Sequence, residues 1–419
     1  MIERCVLIML DAKPNRHSLN ALLGALETDR ALDRLGLRLA ANEDQLGHHL
    51  AESLSAGQRP IVGLSFTTPQ LGRMRDMLRR LTDQFGDAAR VRWVAGGPHP
   101  TADPEGTLRL GFDIVIRGEG EATLLDLLHT LAARDDLAAV DDLAELPGIA
   151  FRRGAGDVQF TRRRPPIDLD AFPPFPLWRR RVVGPIEITR GCPFACGYCQ
   201  TSHLLGTQPR HRSIETIARY AGLIRERNLR DVRVITPNAF SYGSSDGRTL
   251  NLPALESLLA TLRHTLGAHG RLFFGTFPSE VRPEHVAAAT LDLVKRYANN
   301  DSLVIGAQSG SQRMLEHCGR GHRVDDIFSA VSRTLAAGLK PLVDFIFGLP
   351  GETREDLQST IDVIRELAAM GALIHAHTFL PLPQTRFADE PAGRIHGRLR
   401  SVLKELIRNG ALFGVWTSG

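Results

Sequence analysis

Three cysteines within eight residues constrain this chain more than any other feature of its sequence. Cys192, Cys196 and Cys199 follow a short apolar stretch at 186–189 and have the spacing Cys-x3-Cys-x2-Cys. Thiolates are the ligands that iron–sulfur clusters take from proteins. Three thiolates on a four-iron cluster leave one iron open to a substrate or cofactor. Gly191 and Gly197 would let the loop fold closely around such a cluster.

Two other interpretations of the cysteines compete with a cluster. A structural zinc site needs four ligands, and four-cysteine zinc sites usually consist of two Cys-x2-Cys pairs. Here Cys5 and Cys318 are far away in the sequence, and only His203 is close. The second alternative is three unrelated core cysteines, which explains neither the spacing nor the flanking glycines. The pattern favours a cluster.

Composition places the chain among soluble globular proteins. It has 419 residues, of which 43% are apolar and 23% charged, so two domains are expected. A net charge of +4 is too small to indicate nucleic-acid binding. No apolar run is long enough to span a membrane, the first residues lack a signal-peptide pattern, and an odd cysteine count argues against a disulfide framework. These features predict a cytoplasmic protein.

The first third of the sequence alternates strand and helix patterns, which predicts a doubly wound parallel sheet. In such sheets, ligands bind at the carboxyl ends of the strands. A proline-rich stretch then predicts a linker, with Phe172 and Phe175 as packing anchors and with solvated arginine runs at 162–164 and 179–181. An alternative role for those arginines is contact with an anionic ligand. The strands are predicted at 5–10, 60–65, 91–95 and 114–116, and the helices at 19–26, 72–85 and 123–133.

A second alternating series begins at residue 184. Six strands with intervening helices match three quarters of an eight-stranded barrel. The strands are predicted at 186–189, 232–236, 272–275, 303–307, 341–347 and 374–380, and the helices at 213–225, 253–266, 324–337 and 354–370. The predicted domains are therefore a Rossmann-like α/β domain at 1–147, a linker at 148–183, a partial (β/α)6 barrel at 184–385 and a helical extension at 386–419.

The cysteine loop resembles the signature of the radical S-adenosylmethionine (radical SAM) superfamily, in which an aromatic residue such as Tyr198 precedes the third cysteine. The resemblance implies a [4Fe-4S] cluster whose open iron binds S-adenosylmethionine, and a 5′-deoxyadenosyl radical as the reactive product. It also implies further cofactor contacts on later strands. The implied S-adenosylmethionine residues are Tyr198, Asn238, Thr276, Glu280, Gln308, Ser309, Gly348 and Leu349.

Two positions depart from the family's pattern. Gln308 stands where an acidic residue is common, and Thr236-Pro237-Asn238 replaces a frequent Gly-Gly-Glu. The contacts to the cofactor's amino group are therefore open at this stage.

The order of elements at 63–121 resembles the cobalamin-binding domain that precedes the barrel in cobalamin-dependent radical SAM enzymes. An ordinary sheet whose glycines only form turns is the alternative. The first loop lacks the Asp-x-His-x-x-Gly motif, which favours cobalt without a histidine ligand, although His17 lies there. The implied cobalamin-binding residues are Ser65, Thr67, Thr68, Gly96, Gly97, His99, Glu119 and Gly120.

The resemblance implies a methyltransferase that acts on an unactivated carbon of a small molecule, with an external electron donor such as flavodoxin or ferredoxin. Alternatives are cyclisation or ring rearrangement with the same cofactors, and a non-catalytic cobalamin sensor. A methylthiotransferase would need three cysteines in the first domain, which has only Cys5. Candidate catalytic or substrate-contacting residues are Tyr242, His375, His377 and Gln384, although residues of these types are more often satisfied structural groups than catalytic ones.

Overall fold

A computed structural model describes residues 2–13, 15–85, 91–133, 141–153, 157–180, 183–395 and 397–414, without the side chains of residues 141 and 142. The chain divides into two compact units, Met1–Gly184 and Pro185–Gly419. None of the helices in the described ranges is long and apolar enough to cross a membrane.

The first unit is built on a seven-stranded sheet with the order β2-β1-β3-β4-β5-β6-β7. Strands β1 to β5 are parallel, and β6 and β7 continue the sheet antiparallel. Because the chain runs outward from β1 in one direction and from β3 in the other, the carboxyl ends of these two strands mark the topological switch point. The strands are β1 Cys5–Leu10, β2 Gly36–Ala40, β3 Arg59–Ser65, β4 Arg92–Gly96, β5 Ile114–Ile116, β6 Ile149–Arg153 and β7 Asp157–Phe160.

Helices cover both faces of this sheet. Along β1, Cys5, Leu7 and Met9 belong to one buried apolar cluster, and Val6 and Ile8 to another. This alternation follows from the two-residue period of a strand, and it explains why the central strands are apolar throughout. The helices of this unit are α1 Arg16–Leu26, α2 Glu43–Ser55, α3 Leu71–Phe85, α4 Pro98–Ala102, α5 Pro104–Arg109 and α6 Gly120–Ala132.

The predicted parallel sheet is confirmed, with two differences. Strand β2 and helix α2 were not predicted, because the apolar alternation of β2 is short and its residues are only partly buried. The segment interpreted as a linker from residue 148 instead begins with β6 and β7, which pair as a hairpin at the sheet edge. Downstream of this hairpin, Phe175 is buried as a packing anchor, whereas Phe172 is half-buried.

The second unit contains the six predicted parallel strands. β8, β11 and β12 form one sheet, and β13 to β16 form another. A bridge from Val281 to Ile305 and a hydrogen bond from Val304 N to Gly275 O (2.9 Å) connect the two across the barrel wall. The strands are β8 Ile186–Glu187, β9 Thr189–Arg190, β10 Arg210–His211, β11 Asp231–Ile235, β12 Arg271–Phe273, β13 Ser302–Gln308, β14 Lys340–Phe347, β15 Leu373–Thr378 and β16 Leu412–Phe413.

The short strand β16 pairs parallel with β15, so the last part of the chain extends the barrel wall. Its pairing was not predicted, because two residues carry no periodic pattern. The helices of the second unit are α7 Thr201–Leu205, α8 Ile214–Glu226, α9 Leu252–Leu266, α10 Ala288–Tyr297, α11 Gln312–His317, α12 Val324–Ala336, α13 Arg354–Met370 and α14 Gly397–Arg408. The chain therefore combines a Rossmann-like α/β unit with a partial parallel barrel.

One buried carboxylate joins the starts of two barrel helices. Asp356 accepts hydrogen bonds from Thr353 N (2.9 Å) at the start of α13 and from Ser311 Oγ (2.6 Å) at the start of α11. It also pairs with Arg313. These partners lower the pKa of Asp356, foremost the Arg313 guanidinium, so the carboxylate is charged and satisfied.

We expect Asp356→Ala to lower the free energy of unfolding by about 2–4 kcal/mol, because it leaves a buried hydroxyl and a helix cap without their acceptor. Denaturant unfolding of the full chain measures this loss. Asp362→Ala is the matched control on the same helix, since Asp362 is exposed. Equal effects of the two substitutions would contradict this role of Asp356.

Burial raises the pKa of Glu352 from 4.5 to about 7. The folded chain therefore holds this proton more tightly than the unfolded chain, and its stability should fall as the pH rises from about 4.5 to about 7. We expect Glu352→Gln to be progressively more stable than wild type over this pH range and to keep a constant advantage above it. Melting temperatures across the range test this. Glu355→Gln is the control, since the pKa of Glu355 is lowered, and a pH-independent difference for Glu352→Gln would contradict the assignment.

Candidate functional site

The cysteine loop leaves the carboxyl end of β9 and is held by its backbone. Cys192 N donates to Gly206 O (3.0 Å), Cys199 N to Cys196 O (2.9 Å), and Gly197 N to Cys318 O (2.8 Å). Gly191 has a φ of 92°, and a Cβ atom there would lie 2.4 Å from Gln208 O. Only glycine fits this left-handed, crowded position, so the residue before Cys192 is fixed by geometry.

The three thiols share one neighbourhood. Burial raises the pKa of both Cys192 and Cys199, and the charge of neighbouring cysteines raises each further. Three thiols that lie near one another at the end of β9 are a donor set that fits an iron–sulfur cluster.

Arg320 lies beside the cysteine loop and was not predicted from the sequence. Its Nη1 is 3.9 Å from Cys196 Sγ, and its Nη2 donates to Gly306 O (2.7 Å). Its guanidinium also lies 3.6 Å from a carboxylate oxygen of Glu280. Burial lowers the pKa of Arg320, but the electrostatic effects of Tyr198, Glu280 and Cys196 outweigh it and raise the pKa, so Arg320 is a fixed positive charge next to the thiols.

A second arginine contacts the loop through an aromatic ring. The guanidinium carbon of Arg282 lies 3.4 Å from the centre of the Phe194 ring, and that of Arg248 lies 4.5 Å from it. Arg248 also donates to Pro193 O (2.8 Å). Both arginines therefore stabilise the loop between Cys192 and Cys196 by cation–π contact and hydrogen bonding. The arrangement has no local sequence signal, because all three side chains come from different parts of the chain.

Four predicted S-adenosylmethionine residues lie in this region. A Cβ atom placed on Gly306 would be 2.9 Å from both Gln308 Nε2 and Glu280 Oε2, so these side chains converge where Gly306 has none. Tyr198 packs against the apolar cluster that contains Leu349, and among the described residues its buried hydroxyl has no partner. An orphaned hydroxyl and a converging amide and carboxylate fit a polar ligand.

The other predicted contacts have protein partners. Asn238 Nδ2 lies 2.7 Å from His285 Nδ1, and Thr276 Oγ1 accepts from Arg233 Nη1 (3.0 Å). Ser309 Oγ lies 3.4 Å from a hydroxyl on α13. Gly348 follows directly after β14, and its backbone lies against that of Gly393. Their roles toward S-adenosylmethionine stay predictions.

The candidate catalytic residues separate into two places. Tyr242 is buried, and its hydroxyl donates to Arg212 O (2.7 Å). His375 and His377 instead lie on β15 beside Asp344 of β14, a residue that the sequence did not single out. The pairing of Asp344 with His375 depends on strand register, which the sequence pattern alone does not give. Gln384 follows β15 with a φ of 64°.

In the first unit, the predicted cobalamin residues gather at the carboxyl edge of the sheet. Gly97 has a φ of 92°, and a Cβ atom there would lie 2.7 Å from Ser65 Oγ. Thr68 Oγ1 lies 3.1 Å from Nδ1 of His99, whose ring stacks on Phe66. Within the described part of the chain, the buried Nε2 of His99 has no partner. Crowding at Gly97 and an unsatisfied ring nitrogen are consistent with a ligand at this edge.

Four further predicted positions lie near that edge. Glu119 Oε2 accepts a hydrogen bond from Ile167 N (2.9 Å), so this carboxylate contacts the segment after β7. Thr67 donates from its backbone to the side chain of Gln70 (2.9 Å). Gly96 ends β4, and Gly120 begins α6. His17 lies in the first turn of α1, where burial lowers its pKa.

Two protein families match the chain. Residues 186–364 match the Radical SAM superfamily, and residues 20–128 match the B12 binding domain. The chain is 29% identical to an uncharacterized methyltransferase of Pyrococcus horikoshii, over 82% of this chain and 72% of the relative. It is 28% identical to a tRNA-2-methylthio-N(6)-dimethylallyladenosine synthase of Pelobacter propionicus, over 70% of this chain and 64% of that protein.

Two solved structures share this fold. The cobalamin-dependent S-adenosylmethionine radical enzyme OxsB matches with a TM-score of 0.66 and 17% identity, over 86% of this chain and 51% of that chain. The radical S-adenosylmethionine methyltransferase TsrM of Kitasatospora setae also gives 0.66, with 19% identity, over 92% of this chain and 77% of that chain. The domain matches and the site geometry agree that this chain is a cobalamin-dependent radical SAM enzyme, whose cofactors are a [4Fe-4S] cluster, S-adenosylmethionine and cobalamin.

Proposed function

We propose that this enzyme methylates an unactivated carbon of a small molecule. The observation that carries the proposal is the presence of a B12 binding domain and the cysteine loop in one chain. When bound, these cofactors would supply a 5′-deoxyadenosyl radical for hydrogen abstraction and a cobalt-bound methyl group for transfer. The methyltransferase relative supports methyl transfer. An external electron donor such as flavodoxin or ferredoxin would reduce the cluster.

The residues around the cysteines fit the zwitterionic end of S-adenosylmethionine. Arg320 presents a positive guanidinium, and Glu280 presents a carboxylate whose pKa is raised by burial. A positive charge and a carboxyl group placed in a buried site would orient the carboxylate and amino groups of the cofactor before reaction. The apolar cluster of Leu349, Phe379 and Phe387 beside Tyr198 would exclude water from the radical.

Methylthio transfer is a less favourable proposal, although one relative has that activity in its name. The first unit contains a single cysteine, Cys5, which is buried and accepts a hydrogen bond from Arg59. One buried thiol cannot replace the three that a second cluster would need. Cyclisation or rearrangement with the same cofactors is the second candidate.

Product stoichiometry distinguishes methyl transfer from rearrangement. The enzyme would be loaded anaerobically with iron, sulfide and hydroxocobalamin and incubated with S-adenosylmethionine, a reductant and small-molecule extract. Methyl transfer should yield S-adenosylhomocysteine and 5′-deoxyadenosine in about equal amounts, because one cofactor molecule methylates cobalt and a second gives the radical. Extract-dependent 5′-deoxyadenosine without S-adenosylhomocysteine would overturn methyl transfer in favour of rearrangement.

Cofactor content tests the same proposal at an earlier step. Wild type should hold about four irons and one corrinoid, while Cys192→Ala/Cys196→Ala/Cys199→Ala should lose the iron and keep the corrinoid. Cys318→Ala is the matched control, because Cys318 is a buried cysteine beside the loop but outside the predicted ligand set. A wild-type protein that takes up no corrinoid would contradict the proposed function.

We expect Arg320→Met to shift the cluster's reduction potential to a more negative value. A positive charge near a ligand sulfur favours the reduced cluster, and removing it takes that stabilisation away. Arg320→Lys, which keeps the charge, should lie between this variant and wild type. A redox titration followed by electron paramagnetic resonance measures the potential, and Arg323→Met is the exposed control. An unchanged potential in Arg320→Met would refute this role.

A further inference from the structure

We propose that Asp344, His375 and His377 form a binding site for one divalent first-row transition-metal ion, separate from the iron–sulfur cluster. Among the described residues, these three side chains each bring one ligand atom to within 4.8 Å of the ligand atoms of the other two. Two histidines and one carboxylate are the donor set of many mononuclear iron and zinc sites.

Strand register brings these side chains together. In the parallel ladder, Asp344 of β14 pairs with His375 of β15. His377 is two residues further along the same strand, so it points to the same face. Gly306 of β13 pairs with Asp344 on the other side. The three side chains therefore share the sheet face on which Glu280 and Arg320 converge at Gly306.

The distances match those expected between ligands of one ion. His375 Nδ1 lies 2.8 Å from Asp344 Oδ1 and 3.2 Å from His377 Nε2. With metal–ligand bonds of about 2.1 Å, neighbouring donor atoms lie about 3.0 Å apart in an octahedral site and about 3.4 Å apart in a tetrahedral one. Two of the three donor-atom separations are therefore close to those that a bound ion would impose, and the third is within 4.8 Å.

Hydrogen bonding alone accounts for the cluster less well. A ring nitrogen has one in-plane site, which carries either a hydrogen or a lone pair. His375 Nδ1 therefore cannot form full hydrogen bonds with both Asp344 and His377, although both lie within hydrogen-bonding distance. A cation between the donors removes this conflict, because each nitrogen then directs its lone pair at the ion and the carboxylate balances the charge.

The surroundings hold the ligands and leave access to the site. The Phe413 ring of β16 stacks on the His375 ring, with centroids 4.3 Å apart and planes 7° from parallel. This contact fixes the direction of the His375 nitrogen. The side chains of His375 and Asp344 keep 24% and 12% of their exposure, so an ion can enter. Three protein ligands leave coordination positions open for water or for a donor atom of the substrate.

Metal titration of the full chain tests the site. Protein carrying its reconstituted cluster would be cleared of free metal and titrated with Zn²⁺ against a chromophoric chelator under anaerobic conditions. Wild type should bind one Zn²⁺ in addition to its cluster iron. His375→Gln/His377→Gln should weaken this binding at least a hundredfold, because it removes two of three ligands. Iron and sulfide content should stay at the wild-type level in the variant.

The controls separate this site from adventitious binding. His264→Gln removes an exposed histidine of α9 and should leave the Zn²⁺ affinity unchanged. Glutamine keeps a polar side chain in the barrel, and the melting temperatures of metal-free wild type and variant would show that both are folded. X-ray absorption at the zinc edge should show nitrogen and oxygen ligands. Sulfur ligands, or equal affinity in wild type and the double variant, would overturn the proposal.

Discussion

The barrel site depends on the contacts that the buried guanidinium of Arg320 makes. It contacts the loop through Cys196, the wall of the barrel through Gly306 O, and the opposite charge of Glu280. A buried cation is costly unless its surroundings are anionic. Tyr198, Glu280 and Cys196 provide that environment here, and they keep the pKa of Arg320 raised despite its burial.

Contacts with distant residues also determine the shape of the cysteine loop. The guanidinium groups of Arg282 and Arg248 both lie over the Phe194 ring, and Gly197 N donates a hydrogen bond to Cys318 O. These contacts come from three segments of the barrel outside the loop. The loop therefore takes its shape from the folded barrel, although its ligand residues are adjacent in the sequence.

Strand register creates a second chemical feature on the same sheet face. Across β13, β14, β15 and β16, the residues Gly306, Asp344, His375 and Phe413 form one row. Gly306 leaves room for the side chains of Glu280 and Arg320. Asp344 and His375 provide polar donor atoms, and the Phe413 ring stacks on the His375 ring. Neighbouring positions in parallel strands thus bring the proposed site for the zwitterionic end of S-adenosylmethionine next to a group of three metal-type donors.

The sequence determined the local features of this protein. Apolar patterning gave four of the five parallel strands of the first unit and all six predicted barrel strands, because burial of a strand's side chains is a local pattern. The spacing of Cys192, Cys196 and Cys199 identified the cluster type, because these three residues are close together in the sequence. Short edge strands such as β2, β7 and β16 escaped prediction, since a few partly buried residues carry little periodicity.

Only the tertiary structure decided which distant residues meet. Arg320 lies more than a hundred residues after Cys196, and Asp344 reaches His375 through the register of two strands joined by α13. Such contacts depend on how strands align across the barrel, which residue spacing along the chain does not encode. The sequence therefore gave the chemistry of the cysteines. The fold added the charge beside them and the two histidines and aspartate that share their barrel.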